Sequence, residues 1–193
     1  NCLLDDGYYF VDNTLFTGTR WADLQYMKNK DSRMLARMEK SLNLSLEELT
    51  EISKQFEYEY LLGVLNSKIM TYYYENKFRT ISLEVLTKCK IKKTSKENQK
   101  VIGTITKLIQ ELETDEKDIE FLDLQILDSL VYELYLKKLI GTNLMQLIKP
   151  YCKKIENIFE QNKKISFNKI IDSIKQDSVI INEIKKIKEN DII

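Results

Sequence analysis

The chain has 193 residues, with 30 basic and 30 acidic side chains, 43% hydrophobic and 31% charged residues, five glycines, three cysteines, one proline and no histidine. This balance excludes a disordered polyampholyte, and the lack of an apolar run of about 18 residues excludes a bilayer-spanning helix. Without imidazole, Ser-His-Asp and Cys-His nucleophile systems, histidine general bases and histidine-bearing metal sites are also excluded.

So few glycines and prolines leave few break points, which predicts long helices. Residues 1–20 read differently. Tyr8, Tyr9, Phe10 and Val11, then Leu15 and Phe16, form two short strand-like runs bounded by Asp5-Asp6-Gly7, Asp12-Asn13 and Thr17-Gly18-Thr19. From Ser32 the pattern is helical, with Met34, Leu35 and Met38 at helical spacing. Ser45 followed by Glu47 and Glu48 predicts a capped helix start. Over 58–74, Leu61, Leu62, Leu65, Ile69 and Tyr72 predict the apolar face of one helix. Extended pieces are expected at 78–81 and 89–91, around a helical turn at 83–86 with Ser82 as its cap. Two helices follow, one over 95–112 with Val101, Ile105, Leu108 and Leu112 on a stripe, the other over 119–135 with Ile119, Leu122, Ile126, Leu130 and Leu134. The acidic connection at 113–118 predicts that these two pair antiparallel. A helix from about Asn143 is expected to end or kink near Pro150 and to resume over 151–159. Residues 165–187 read as one or two more helices, with Ile170, Ile174, Ile181 and Ile184 as apolar positions. The fold class is α+β and helix-rich, a small β-containing front followed by an antiparallel helical bundle, divided at 1–93 and 94–193.

Charge is zero in sum but uneven in place. Residues 77–100 hold eight basic and two acidic side chains, and residues 111–133 hold nine acidic side chains against Lys117. Cations next to Tyr72, Tyr73 and Tyr74 suit a phosphate-tracking surface, because lysine and arginine neutralise the nucleic-acid backbone and aromatic faces pack on sugars or bases. The plainer reading is a solvated lysine-rich face. A second candidate is Thr19, Arg20 and Trp21 beside Gly18, with Lys28 and Lys30 beyond. An arginine on a glycine-containing loop can reach a groove and read guanine, unless Trp21 is simply a core anchor. Glu183 and Lys185 match half of a metal nuclease element, but they lie in a helical pattern with no Pro-Asp before them. No Gly-rich phosphate loop or Gly-x-Ser-x-Gly elbow occurs. Cys2, Cys89 and Cys152 are odd in number and far apart, which fits a reducing, cytoplasmic setting. Asn1 is followed by no charged n-region or apolar h-region, so no secretory signal is expected and the chain reads as a piece of something longer.

Two segments carry a family likeness. Tyr60-Leu61-Leu62-Gly63-Val64-Leu65-Asn66-Ser67-Lys68, followed by Tyr72-Tyr73-Tyr74, then Phe78-Arg79-Thr80-Ile81-Ser82 and Cys89-Lys90-Ile91, is one. Gln99-Lys100-Val101-Ile102 with Leu127-Asp128-Ser129-Leu130-Val131-Tyr132-Glu133-Leu134-Tyr135 is the other. In order and spacing these resemble the TaqI-like C-terminal specificity domain of adenine-specific DNA methyltransferases and fused type IIG restriction-modification enzymes. Asp5-Asp6-Gly7-Tyr8-Tyr9-Phe10 and Asn13-Thr14-Leu15-Phe16 resemble the opening strands of such domains more loosely. The family usually has prolines before its extended pieces, where Arg79 and Cys89 or Lys90 stand here. Residues 20–56 match nothing in it, so no base-contacting residue is carried over.

The resemblance implies a DNA target-recognition region at 1–93 and a helical region at 94–193, with double-stranded DNA and an upstream methyltransferase domain of the same polypeptide as partners and no membrane. It implies no cofactor in this chain, and S-adenosylmethionine in the catalytic domain that would methylate a flipped adenine. The expected DNA-facing set is Arg20, Lys28, Lys30, Lys77, Arg79, Lys90, Lys92 and Lys93, with Thr19 and Trp21 as groove contacts. The acidic 111–133 stretch is expected to turn away from DNA or to pack on Lys137, Lys138, Lys153 and Lys154. The competing expectation is a helical protein-interaction scaffold that never touches DNA, which the zero net charge favours.

Overall fold

The computed structural model describes residues 39–40, 43–77, 91–112, 116–161 and 167–189. They group into two compact units that divide between Glu57 and Tyr58. In the first, Ser45 caps helix α1 (Leu46–Ser53): its hydroxyl accepts from the Glu48 amide at 3.1 Å, and the Glu48 carboxylate accepts from the Ser45 amide at 2.8 Å. This reciprocal box satisfies two amides that would otherwise lack partners, as the serine and acidic first turn predict.

The second unit begins with α2 (Tyr58–Asn66) and α3 (Lys68–Lys77). The single helix expected over 58–74 is broken at Ser67. The Ser67 hydroxyl and amide both donate to the Val64 carbonyl, at 2.7 and 3.2 Å, while the Lys68 amide turns away to the Asp128 carboxylate at 2.8 Å. The buried face also differs from the expected one. Tyr60, Leu62, Gly63, Val64, Ser67, Met70 and Tyr74 are buried, whereas Leu61, Leu65 and Ile69 are half-buried and Tyr72 is exposed. Gly63 explains part of this. A Cβ there would lie 3.1 Å from the Ile102 side chain and 3.2 Å from that of Leu127, and it would collide with the Thr106 hydroxyl. The α2 backbone therefore lies against its neighbours, and the face carrying Gly63 must point inward.

Helix α4 (Lys96–Glu111) starts at Ser95, whose hydroxyl accepts from the Asn98 amide at 3.2 Å. Val101, Ile105 and Leu108 are buried as their spacing predicts, Leu112 is half-buried, and Ile102 is buried as well, because α2, a π-helical stretch (Leu122–Leu127) and a later helix (Leu144–Glu160) all pack on α4. The next element runs from α5 (Glu116–Phe121) through that π-helical stretch (Leu122–Leu127) into α6 (Asp128–Ile140). The expected pairing of 95–112 with 119–135 is concentrated at the π-helical stretch, where α4 touches it. Leu122, Ile126, Leu130 and Leu134 are buried and Ile119 is half-buried. Gly141, at φ 64°, ends α6 by donating its amide to the Lys137 carbonyl at 3.1 Å, a conformation that favours glycine.

Helix α7 (Leu144–Glu160) continues through Pro150, so of the end or kink expected there the end is not realised. Its buried stripe of Leu144, Met145, Ile148, Cys152 and Ile155 packs on α4 and α6. Asp177 separates α8 (Phe167–Gln176) from α9 (Ser178–Glu189) and caps α9 by accepting from the Val179 and Ile180 amides at 3.0 and 3.3 Å. Its other oxygen accepts from the Tyr151 hydroxyl at 2.9 Å, tying α7 to this corner. Ile171, Ile174, Ile180, Ile184 and Ile187 are buried, while Ile170 and Ile181 are half-buried. The isoleucine stripe thus lies partly on the neighbours of the residues the periodicity selects.

The α+β class is corrected. Among the described residues there is no strand, and where the front half is described it is helical, from α1 to α3. The physical reason is local: Ser45, Ser67 and Ser95 start or break helices within the chain, so the backbone bonds of these segments close without a ladder. The strand-like runs at 8–11 and 15–16, and the pieces at 78–81 and 89–90, lie outside the described residues. Ile91 is in irregular structure. No described helix is long and apolar enough to cross a membrane.

Candidate functional site

The two segments that carry the family likeness meet at α6. Its residues from Asp128 to Leu134 are buried on every side, including three polar ones, Asp128, Ser129 and Glu133. Buried carboxylates persist only when the interior gives them partners. Asp128 accepts from the Lys68 amide at the start of α3, and the Lys68 ammonium lies 3.8 Å from its second oxygen, which has no hydrogen-bond partner. Burial lifts the Asp128 carboxyl to about 6, against the opposing pull of the Lys68 amide and ammonium and with a small further push from Asp123. Burial likewise raises Asp123. The wider π-helical turn ends at this point: the Asp128 amide donates to the Asp123 carbonyl.

Glu133 binds a second element. One of its oxygens accepts from the amides of Leu144 at 2.5 Å and Met145 at 3.2 Å, and from the Thr142 hydroxyl at 3.4 Å. A carboxylate from α6 thus caps α7 in place of Asn143, whose side chain makes no cap bond. Burial raises the Glu133 pKa, and the Met145 and Leu144 amides oppose that rise.

Residue 92 is the third attachment. The Tyr60 hydroxyl donates to its carbonyl at 2.5 Å, and its amide donates to the Tyr135 hydroxyl at 2.9 Å. The Lys92 ammonium donates to the Leu134 carbonyl at 2.6 Å and lies 6.0 Å from the centre of the Tyr135 ring. The polar residues of the 127–135 segment therefore hold the start of α3, the start of α7 and the approach to α4.

The expected DNA-facing residues are only partly in view. Thr19, Arg20, Trp21, Lys28, Lys30, Arg79 and Lys90 lie outside the described residues. Lys77 is the last residue of α3, and Lys93 is exposed beside Lys92. Farther along the basic stretch, the Lys100 ammonium pairs with Glu156 at 2.8 Å, and Lys149 pairs with Glu97. The acidic stretch is not one solvated face. Asp118, Asp128 and Glu133 are buried and bind Lys175, Lys68 and the α7 amides, so their partners differ from the expected lysines, apart from a weak influence of Lys137 on Glu133. What marks these carboxylates in the sequence is a charge flanked by apolar residues, as in Leu127-Asp128 and Tyr132-Glu133-Leu134. The sequence does not say which backbone amides they meet.

No chemistry-bearing cluster forms elsewhere in view. Among the described residues no three metal-ligating side chains come together. Glu183 accepts from the Asn143 amide at 3.1 Å and pairs with Lys186 at 2.5 Å, while Lys185 is exposed, which is a helix-surface arrangement. Burial, with a contribution from Glu156, pushes the Cys152 thiol up to about 12, so it is no nucleophile.

No family model matches the chain, and no solved structure matches it. A Methanocaldococcus jannaschii protein named "Putative type II restriction enzyme and methyltransferase" is 32% identical over 149 residues, covering 70% of this chain. The chain spans 12% of that protein's length, so it is similar to one portion of a much longer polypeptide.

Proposed function

We propose that this chain is the DNA target-recognition portion of an adenine-specific DNA methyltransferase, or of a fused restriction-modification enzyme. The observation that carries the reading is the similarity to the restriction enzyme and methyltransferase named above. The bond between Lys68 and Asp128 supports it, because it joins the two segments on which the family likeness rests. In this reading the chain binds double-stranded DNA in the cytoplasm and helps to set which sequence is bound. An upstream domain of the same polypeptide binds S-adenosylmethionine and methylates a flipped adenine. Thr19, Arg20, Trp21, Lys28, Lys30, Lys77, Arg79, Lys90 and Lys93 are the proposed contacts, with cations on phosphates fixing register and the loop at 19–21 in a groove.

The test is association with mixed-sequence duplex DNA at two salt concentrations. Phosphate contacts release counterions, so affinity falls steeply as salt rises. No binding at low salt, by this chain and by the full-length protein alike, would overturn the reading. The engagement of Lys92 with the Leu134 carbonyl, of Lys100 with Glu156 and of Lys149 with Glu97, together with the zero net charge, favours a second reading, a helical interaction scaffold. That reading expects no salt-steep DNA binding from either protein.

A further inference from the structure

We infer that Lys92 is a positioning residue whose clamp between α2 and α6 presents the neighbouring Lys93 to a DNA phosphate. The inference rests on the DNA-binding reading above and assigns different tasks to two adjacent lysines that composition cannot tell apart. Residues 91–95 have no regular structure; on the α4 side the Thr94 carbonyl accepts from the Gln99 side chain at 3.2 Å and the Ser95 carbonyl from the Gln99 amide at 3.0 Å, whereas Lys92 lies upstream of these bonds. At Lys92 all three polar groups are nevertheless bound. The carbonyl is held by the Tyr60 hydroxyl from α2, the amide by the Tyr135 hydroxyl from α6, and the ammonium by the Leu134 carbonyl of α6.

Both helices belong to the packed core; Tyr60 is fully buried, Tyr135 is half-buried, and the Leu134 carbonyl belongs to the α6 backbone, so the clamp is anchored on the core. An ammonium that donates to a helix carbonyl has one fewer proton to offer a phosphate, and reaching out would break a charge-assisted bond. Lys93, exposed as Lys92 is, follows one residue later on a backbone that the bonds of its neighbour hold. Holding a cation in place before DNA arrives lowers the ordering cost of binding.

The experiment measures the slope of log affinity against log salt for a mixed-sequence duplex, using the full chain. Each variant's fold is checked by circular dichroism. Lys93→Met should make the slope shallower by about 0.9, the value of one phosphate contact. Lys92→Met should produce the same change, and the double variant should lose about 0.9 in total, not about 1.8, because only one contact exists. Lys92→Arg, which keeps a donor for the Leu134 carbonyl, should restore most of the slope.

Tyr135→Phe removes one hydroxyl and no charge, and should still make the slope shallower if the clamp positions Lys93. Additive losses would mean that Lys92 itself touches phosphate. An unchanged slope in Lys92→Met and Tyr135→Phe would mean that the clamp serves the fold alone. Either result overturns the inference while the DNA reading stands. Absence of salt-dependent binding in the unaltered chain removes the DNA reading and this inference with it.

Discussion

Replacing Asp128 by asparagine isolates the consequence of a carboxylate buried at the start of a helix. Asp128 is 4% exposed and its carboxyl is raised from an ordinary 3.8 to about 6, chiefly by burial. A folded-state value above the unfolded one means that the native state binds the proton more tightly, so Asp128 favours the folded chain most below pH 3.8. That contribution is lost as pH rises through 6. At about 1.36 kcal/mol per tenfold change in proton affinity, the whole effect is roughly 3 kcal/mol, of which about 2 kcal/mol falls between pH 4 and 7. Asparagine retains an oxygen for the Lys68 amide but does not titrate. Urea unfolding of both proteins should therefore show the native chain losing about 2 kcal/mol relative to Asp128→Asn as pH is raised over that range. Subtracting one curve from the other cancels the titration of Glu133 and the other uncoupled carboxylates and leaves a small contribution from Asp123, whose charge is coupled to that of Asp128. A difference that stays flat, or that grows in favour of the native chain toward neutrality, would refute the assignment of a destabilising buried charge.

Gly63→Ala should lower stability by about 1 to 3 kcal/mol, since the new Cβ meets Thr106, Ile102 and Leu127 in a filled interior. Combining it with Thr106→Ala should recover part of that loss, which a double-mutant cycle in denaturant can measure. Glu133→Ala leaves the Leu144 and Met145 amides without their acceptor and should cost about 2 kcal/mol, while Glu133→Gln should cost less. Amide exchange at the start of α7 should accelerate in the alanine variant before it does in α4.

Much of the helical part is legible in the residues. Ser45 and Ser95 act within a turn of themselves, so the starts of α1 and α4 follow from local chemistry. The stripes Val101-Ile105-Leu108 and Leu122-Ile126-Leu130-Leu134 repeat at the helical period and are buried where that period puts them. The α+β class does not hold among the described residues, where α1 to α3 are helical; the runs read as strands at 8–11, 15–16, 78–81 and 89–90 lie outside those residues. The face of α2 and α3 was displaced: Gly63 carries no hydrophobicity to detect, yet close backbone approach turns its side of the helix inward. Pro150 looks like a helix end, but the helix around it is held by packing on α4 and α6, whose contacts compensate for one lost backbone bond. The acidic 111–133 stretch gives the clearest contrast. Its charge can be counted in the sequence, but whether a carboxylate faces water, a lysine or the amides of another helix depends on residues 9 to 60 positions away. Asp128 and Glu133 acquire their roles only when α3 and α7 are brought against α6, because a buried charge takes its character from the donors that surround it.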